Sequence, residues 1–488
     1  MKRTRLAQRR RTVGMTQEML AEQLGVDRTT IIRWEHGQTA PLPWHRPNLA
    51  VALKVSVEEI AGLLGDIDVE PDDAEQLGVV AAVLSDAWGI HLEAAQPELC
   101  GGEQPAYRQP CSADRTIKEL SIFLRSDMLT RRETLTQAVK AMTGPALVAP
   151  IVGWLDTSPG RLEPRSQGTQ RIGIGDVESI ERSTRFFAAT DADVGGALSR
   201  EAAVGQLKYA VDLARHAVYA ESTGNRLLAV IAELSGLVGW LCHDSNMPGP
   251  AQRYFAYGLQ AARESADPRA QLLVVSILAD MGEHFRWLDR PDTALRLLDL
   301  SIAQLPSDRR FDGLRALVVA RRAGNALCYL GPSRLSEVRI ALGMAFDLYG
   351  RANEDDNAGA STMWHRVMDV SEHELVPPAA AAFVALAEHD PRLAAEAEKY
   401  TLRQLANLPD GQGRSKMFGH IRLAKIRFLS GEGEQACEDG DQALDIAPCV
   451  TSTMIQARLR DLMAAAKPFA EVPRVRQFKG RLHAQLHG

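Results

Sequence analysis

A segment recurs in the C-terminal half of the chain, and this repetition restricts the folds that the region can adopt. Each copy ends one helical stretch in an aromatic residue or leucine, passes through a turn with Gly, Asp or Pro, and begins a second helical stretch near a small residue. The copies read GWLCHDSNMPGPAQRYFAYGLQAA, RWLDRPDTALRLLDLSIAQL, CYLGPSRLSEVRIALGMAFDL and RFLSGEGEQACEDGDQALDI. Aligning Ala251, Ala294 and Ser336 gives steps of 43 and 42 residues, and Ala395 to Ala436 gives 41. These steps predict a solenoid of helical hairpins, because one hairpin cannot bury its apolar face alone.

The rest of the apolar pattern divides the chain into three regions. Residues 172–488 show helical periodicity with few alternating β-branched runs, so we predict an all-α solenoid there. Residues 66–171, rich in Pro, Gly and acidic stretches, are predicted to be an irregular linker with intermediate helices. Residues 1–65 show short helical patterns separated by glycines, which predict a domain of five helices.

Composition and targeting signals narrow the class of protein. The longest apolar stretch, residues 138–155, is interrupted by a lysine and two prolines, and no apolar core of a signal peptide follows the basic N-terminus. Six cysteines form no CxxC pair and are expected to be reduced thiols. We therefore expect a cytoplasmic protein with no membrane partner.

Charge is unevenly distributed along the chain. Residues 1–54 carry ten basic and four acidic side chains, a net charge of +6, whereas the whole chain carries −6. Residues 55–488 therefore carry −12. A basic N-terminal region on an acidic remainder is typical of a module that binds a polyanion, attached to a larger regulatory domain.

Residues 14–41, GMTQEMLAEQLGVDRTTIIRWEHGQTAP, contain the most specific motif. Thr16 is placed to cap a helix, and Gln17 then lies at the helix N-terminus, where free backbone N–H groups favour a phosphate. Gly25 permits a sharp turn, and Asp27 is placed to cap the next helix.

The helix after this turn has two distinct faces. Ile31 and Trp34 share the apolar face and are predicted to lie in the core. The opposite face offers guanidinium and hydroxyl groups to base edges and phosphates, as a major-groove recognition helix requires. The predicted DNA-contacting residues are Thr16, Gln17, Arg28, Thr29, Thr30 and Arg33.

These residues resemble the helix-turn-helix domain of the Cro/CI (XRE) repressor family over residues 6–64. The resemblance implies that Gln17, Arg28, Thr29 and Arg33 occupy DNA-contact positions, and that Arg10 and Glu35 form a structural ion pair. It also implies binding to double-stranded DNA. Because one small domain has little specific affinity alone, we expect a homodimer that reads a pseudo-palindromic operator.

The repeats resemble tetratricopeptide repeats, although their steps exceed the usual 34 residues and are nearer to the spacing of HEAT repeats, which remain the alternative. The order of segments, RRETL at residues 131–135, then residues 175–200, then repeats, resembles large actinobacterial transcriptional regulators. This resemblance implies a transcriptional regulator, and our hypothesis is that its repeats dimerise and sense a peptide, a small molecule or a partner protein. Arg321, Arg322 and Asn325 are candidate polar groups of a ligand groove. Most of the aromatic residues of the repeats are predicted to pack in the core.

Signatures of enzymes are weak. The segment HRVMDVSEHE at residues 365–374 lacks the histidine pair of a zinc-binding helix, and GIGDVE at residues 173–178 lacks the context of a nucleotide loop. We therefore expect no catalytic residues, no metal and no cofactor. The leading hypothesis is a sequence-specific DNA-binding regulator. The alternative is a protein-interaction scaffold whose helix-turn-helix is a weak, non-specific tether to DNA.

Overall fold

A computed structural model of the protein describes most of the chain. The described residues are 4–24, 26, 28–36, 49, 52–55, 112–129, 145–156, 164–168, 170–194, 196–326, 332–354, 372–409, 412–450 and 453–487. The chain divides into two compact units, Met1–Val79 and Val80–Gly488, which we call the head and the body.

The head contains the helices α1 (Thr4–Thr12), α2 (Gln17–Leu24) and α3 (Arg28–Glu35). One apolar core joins them, formed by Leu6, Leu20, Ala21, Leu24, Ile31, Trp34, Leu49, Ala52 and Leu53. The helix-turn-helix fold predicted for this region is confirmed. Most of the segment predicted to form the fourth and fifth helices lies outside the described residues, which include only residues 49 and 52–55 of it. Asp27 also lies outside them.

Helices form nearly all of the described body, which confirms the all-α prediction. They are α4 (Ala113–Leu129), α5 (Pro145–Asp156), α6 (Ile174–Val194), α7 (Gly196–His216), α8 (Glu221–Asp244), α9 (Pro248–Glu264), α10 (Ala270–Trp287), α11 (Pro291–Ala303), α12 (Asp312–Arg321), α13 (Leu335–Glu354), α14 (Glu372–Ala387), α15 (Ala394–Ala406), α16 (Gly413–Leu429), α17 (Gly433–Ile446), α18 (Thr453–Ala465) and α19 (Pro473–His487). Two strands, β1 (Gln170–Arg171) and β2 (Ala217–Val218), pair in parallel. Two residues per strand are too few to leave an alternating pattern in the sequence.

Consecutive helices of the body pack as hairpins: α8 with α9, α10 with α11, α12 with α13, α14 with α15, and α16 with α17. The largest apolar core extends from α4 to α12. Phe123 of α4 and Trp154 of α5, from the region predicted to be intermediate, are buried in this same core. The described part of that region therefore packs as part of the body.

The same turn joins the two helices of three hairpins. A backbone N–H just after the first helix donates to the carbonyl five residues earlier: Met247 to Cys242 at 2.9 Å, Arg290 to Phe285 at 3.0 Å and Glu432 to Arg427 at 2.9 Å. The preceding residues, Asn246, Asp289 and Gly431, have φ of 57°, 56° and 86°. This is the Schellman ending of a helix, which needs a left-handed residue. The turn explains why Asn, Asp and Gly recur at this place.

Small residues set the close approach within each hairpin. A Cβ added to Gly239 would lie 2.7 Å from the ring of Phe255, and one added to Gly282 would lie 2.7 Å from the side chain of Leu298. Both members of the second pair follow those of the first by 43 residues, the step that the sequence predicts.

The fourth residue of the second helix of each hairpin is buried. Ala251, Ala294 and Ala436 occupy this place and are fully buried. In α13 the place belongs to Val338, whereas the aligned Ser336 is exposed, and in α15 it belongs to Ala397, whereas Ala395 is exposed. The alignment was therefore wrong by two residues at both positions, because it followed small residues rather than the start of the helix.

One helix of the described residues, α8, is long and apolar enough to cross a membrane by length and composition. Its most apolar window has a mean hydropathy of 1.4, and 89% of that window is buried inside the body. Such burial is typical of the central helix of a helical core.

Candidate nucleic-acid interface and a charged cavity in the body

The turns of the head fix the positions of α2 and α3. Gly14 adopts a φ of 76° after α1, and the Met15 N–H donates to the Arg10 carbonyl at 3.1 Å. The Thr16 hydroxyl accepts the Met19 N–H at 3.2 Å, which is the cap expected at the start of α2. Between α2 and α3, the Val26 N–H donates to the Ala21 carbonyl at 3.0 Å and closes the turn.

A buried ion pair holds α1 against α3. Arg10 Nε donates to Glu35 Oε1 at 2.6 Å and Arg10 Nη2 donates to Oε2 at 3.3 Å, so the contact is bidentate. Both side chains are only 7% exposed. Gln17 Nε2 also donates to Glu35 Oε2, at 2.7 Å. The structure thus brings Arg10 and Glu35 together and holds Gln17 on the same carboxylate.

The exposed face of α3 carries part of the predicted DNA-contacting set. Arg28 Nε lies 2.7 Å from Glu18 Oε1 of α2, with both side chains 57% exposed, and Thr29 is exposed beside it. The pKa of Glu18 is lowered because its carboxylate accepts hydrogen bonds from its own backbone N–H and from Thr16. Thr30 and Arg33 belong to α3, but their side chains lie outside the described residues.

The body encloses a second candidate site, a cavity of about 410 Å³. Side chains of α6, α8, α10, α12, α14, α16 and α18 line it, so it lies where several hairpins face one another. Of the aromatic residues of α8 to α11, Trp240 and Trp287 form part of its wall. The other four, Tyr254, Phe255, Tyr257 and Phe285, are fully buried in the core.

Most charges of the cavity wall are paired. Arg414 Nη1 lies 3.0 Å from Asp191 and 3.4 Å from Asp244, and Lys425 Nζ lies 2.6 Å from Glu388. Arg286 pairs with Glu283, and Arg458 lies 3.1 Å from Asp461. The guanidinium groups of Arg286 and Arg458 also lie over the ring of Trp287, at 4.9 and 4.3 Å from its centroid.

Arg422 differs from these residues. It donates from Nη1 to Gln404 Oε1, and no carboxylate of the described residues forms an ion pair with it. Burial, together with the neighbouring charges of Arg458 and Arg286, lowers the pKa of Arg422 to about 10, although the charge of Glu283 opposes this shift. The group stays protonated at neutral pH, since this value is well above 7.

The predicted groove residues separate in the structure. Arg321 lines the cavity and donates to Asp280 at 2.8 Å. Arg322 is absent from the lining of the cavity and instead donates to Asp299 at 2.6 Å. The side chain of Asn325 lies outside the described residues.

Sequence reasoning missed Arg422, although one signal was available. The segment of α16, GRSKMFGHIRLAKIRFL, carries basic residues on several faces, yet the helix packs against α15 and α17. Basic residues on all sides of a packed helix indicate that some of them point into the interior. Among the described residues, no group of three His, Cys, Asp or Glu side chains is placed to hold a metal ion. Residues 365–371 of the segment considered for metal lie outside them.

Comparison with known proteins agrees with the geometry of the head. The model of a helix-turn-helix family matches residues 6–60. No curated protein and no solved structure matches the chain. The fold of the head and this match together define residues 6–60 as a helix-turn-helix domain, which supports a DNA-binding regulator in general.

Proposed function

We propose that the protein is a sequence-specific transcriptional regulator that acts in the cytoplasm, on the nucleoid. Its head reads DNA through Thr16, Gln17, Arg28, Thr29, Thr30 and Arg33. Its body, a solenoid similar to tetratricopeptide repeats, dimerises the chain and senses a peptide, small-molecule or protein effector. No catalytic step, metal or cofactor is part of this proposal.

The observation that carries the proposal is the exposed face of α3. Arg28 and Thr29 are exposed on it, while Ile31 and Trp34 of the same helix are buried in the core. A guanidinium group and a hydroxyl on the outer face of the second helix of a helix-turn-helix, here α3, can reach base edges in the major groove. The net charge of +6 over residues 1–54 favours approach to phosphate.

Selection of random double-stranded DNA on the purified protein tests this function. The selected sequence and a scrambled control are then titrated by fluorescence anisotropy at two salt concentrations. We expect a palindromic sequence that is preferred by roughly 10³-fold or more, with half-sites about one or more helical turns apart. Sedimentation of the complex should show two chains per duplex.

A pair of arginine variants distinguishes the recognition of bases by Arg28 from the general effect of removing one positive charge. Arg28→Ala should relax the base preference at one position of each half-site and cost about 1–3 kcal/mol on the selected sequence. Arg476→Ala removes the same charge from the exposed surface of α19 and should leave DNA binding unchanged. If base preference survives Arg28→Ala, the assignment of α3 as the recognition helix is wrong.

The same titrations distinguish the alternative function. Equal affinity for the selected and scrambled DNA, with a steep dependence on salt, would indicate a non-specific tether. The body would then be the functional part of the chain, as a scaffold for a protein partner.

A further inference from the structure

One arginine of the cavity wall, Arg422, forms no ion pair with the described residues. Arg286, Arg321, Arg414, Lys425 and Arg458 each contact a carboxylate. Among the described residues Arg422 donates to the amide oxygen of Gln404, and its charged neighbours are Arg458, Arg286 and the carboxylate of Glu283. A partly buried cation without an ion pair of its own costs stability, and such groups cluster at binding sites.

The wall of the cavity offers aromatic and apolar surface next to this cation. Trp240 and Trp287 lie on one part of the wall, and Pro377, Val384 and Phe418 are among the apolar residues of the rest. The indole N–H of Trp240 is buried and has no acceptor among the described residues. The volume of about 410 Å³ lies within the range of small-molecule sites.

We propose that this cavity binds a small aromatic carboxylate, whose anion pairs with Arg422 and whose ring packs against Trp240 and Trp287. A carboxylate fits better than a phosphate ester, because Glu283 and Glu374 also line the cavity and would repel the second negative charge that a phosphate carries at neutral pH. The inference deepens the proposed function, since it gives the chemical class of the effector. Only its consequence for DNA binding rests on that function.

Calorimetric titration of the full chain without DNA tests the chemistry. The probes are indole-3-acetate and phenylacetate, with indole-3-acetamide as the neutral match and inorganic phosphate as the other anion. We expect the acid to bind about 10- to 100-fold more tightly than its amide, the ratio of a charge-assisted hydrogen bond. Equal binding of acid and amide, a preference for phosphate, or no binding of either acid at millimolar concentration would overturn the proposal.

Two substitutions locate the anion. Arg422→Gln should abolish the difference between acid and amide, because the glutamine keeps a polar group but not the charge. Arg322→Gln removes an arginine that pairs with Asp299 outside the cavity, and should leave that difference intact. An unchanged preference in the Arg422 variant, or its loss in the Arg322 variant, would place the anion elsewhere.

Stability without ligand separates a binding role from a structural one. Arg422→Gln relieves repulsion among guanidinium groups, so the urea midpoint of the ligand-free protein should stay equal or rise. Arg414→Gln, on the same helix, removes the guanidinium group that contacts Asp191 and Asp244 and should lower the midpoint. If both variants lower the midpoint equally, Arg422 holds the fold and the proposal fails. These measurements involve no DNA. The ligand proposal can therefore fail or succeed whether or not the head binds DNA.

Discussion

Two arginines of the head illustrate how environment decides what a side chain does. Arg10 and Arg28 each contact a glutamate at about the same distance, 2.6 and 2.7 Å. The side chains of the first pair are only 7% exposed, whereas those of the second pair are more than half exposed. A buried pair cannot lose one member without stranding the other charge, while an exposed pair exchanges its partner for water or phosphate at little cost.

Substitution of these arginines should therefore differ in its effect on stability. Arg10→Ala strands Glu35 in the core and should cost about 3 kcal/mol of the stability of the head, whereas Arg28→Ala should cost less than about 1 kcal/mol. Hydrogen exchange of the amides of α1 to α3 measures both effects. Equal loss of protection in the two variants would contradict this account.

At the scale of the element, the hairpin turns predict that two substitutions at equivalent positions change the stability of the body in opposite directions. Asp289 and Gly431 occupy the same left-handed position, with φ of 56° and 86°. Asp289→Gly should stabilise the body by about 0.5 kcal/mol, because glycine reaches this conformation without strain, and Gly431→Ala should destabilise it by about 1 kcal/mol. Urea midpoints of the two variants check the prediction. A shift in the same direction for both would argue against strain at this position.

A close approach between two elements gives a larger effect. A Cβ added to Gly324, in the π-helical turn that follows α12, would overlap the backbone carbonyl of Pro378 in α14. Backbone cannot move aside as a side chain can, so Gly324→Ala should cost at least 1–3 kcal/mol. Gly343 in α13 has nothing within 4 Å of an added Cβ, so Gly343→Ala should stabilise by about 1 kcal/mol. Thermal unfolding of both variants tests the contrast.

The elements were predictable where local chemistry decides them. Left-handed turn residues and a small residue inside the next helix recur at a step of 43 residues in the first two hairpins, because both follow from how one hairpin closes. Ser336 and Ala395 do not follow this pattern and are exposed. The position of a residue from the start of the helix determines whether its side chain is buried, and the buried fourth position is occupied by Val338 and Ala397. The sequence pattern does not locate the helix start in those hairpins.

At the scale of the whole molecule, the cavity was the least predictable feature. Arg321 and Arg322 are neighbours in the sequence, yet only Arg321 lines the cavity, because one residue turns a helix by about 100°. Arg422 lies about a hundred residues further along and reaches the same space only through the stacking of the hairpins. Long-range stacking, rather than local periodicity, determines which charges meet.

The histidines of adjacent hairpins link the stability of the body to pH. His243 of α8 and His284 of α10 are buried, with their Nδ1 atoms 3.1 Å apart. Burial, with Arg286 and Arg414 nearby, lowers the pKa of His243 to about 3, and burial and His243 lower the pKa of His284 well below its ordinary value. The ring of His243 is therefore neutral in the folded body at pH 5, and protonation of His284 is disfavoured for the same physical reason, whereas in the unfolded chain both rings are largely protonated there.

Acid should therefore destabilise the body through this pair. The unfolded chain binds more protons below about pH 6.5, so the free energy of unfolding should fall between pH 7 and pH 5, by about 2 kcal/mol through His243 and further through His284. The double variant His243→Gln with His284→Gln removes both groups and should flatten this dependence, while His389→Gln, at an exposed position, should not. Urea unfolding at the two pH values measures the difference between variants, in which the contribution of the carboxylates cancels. An equally steep loss of stability in the double variant would show that the pair does not couple the fold to pH.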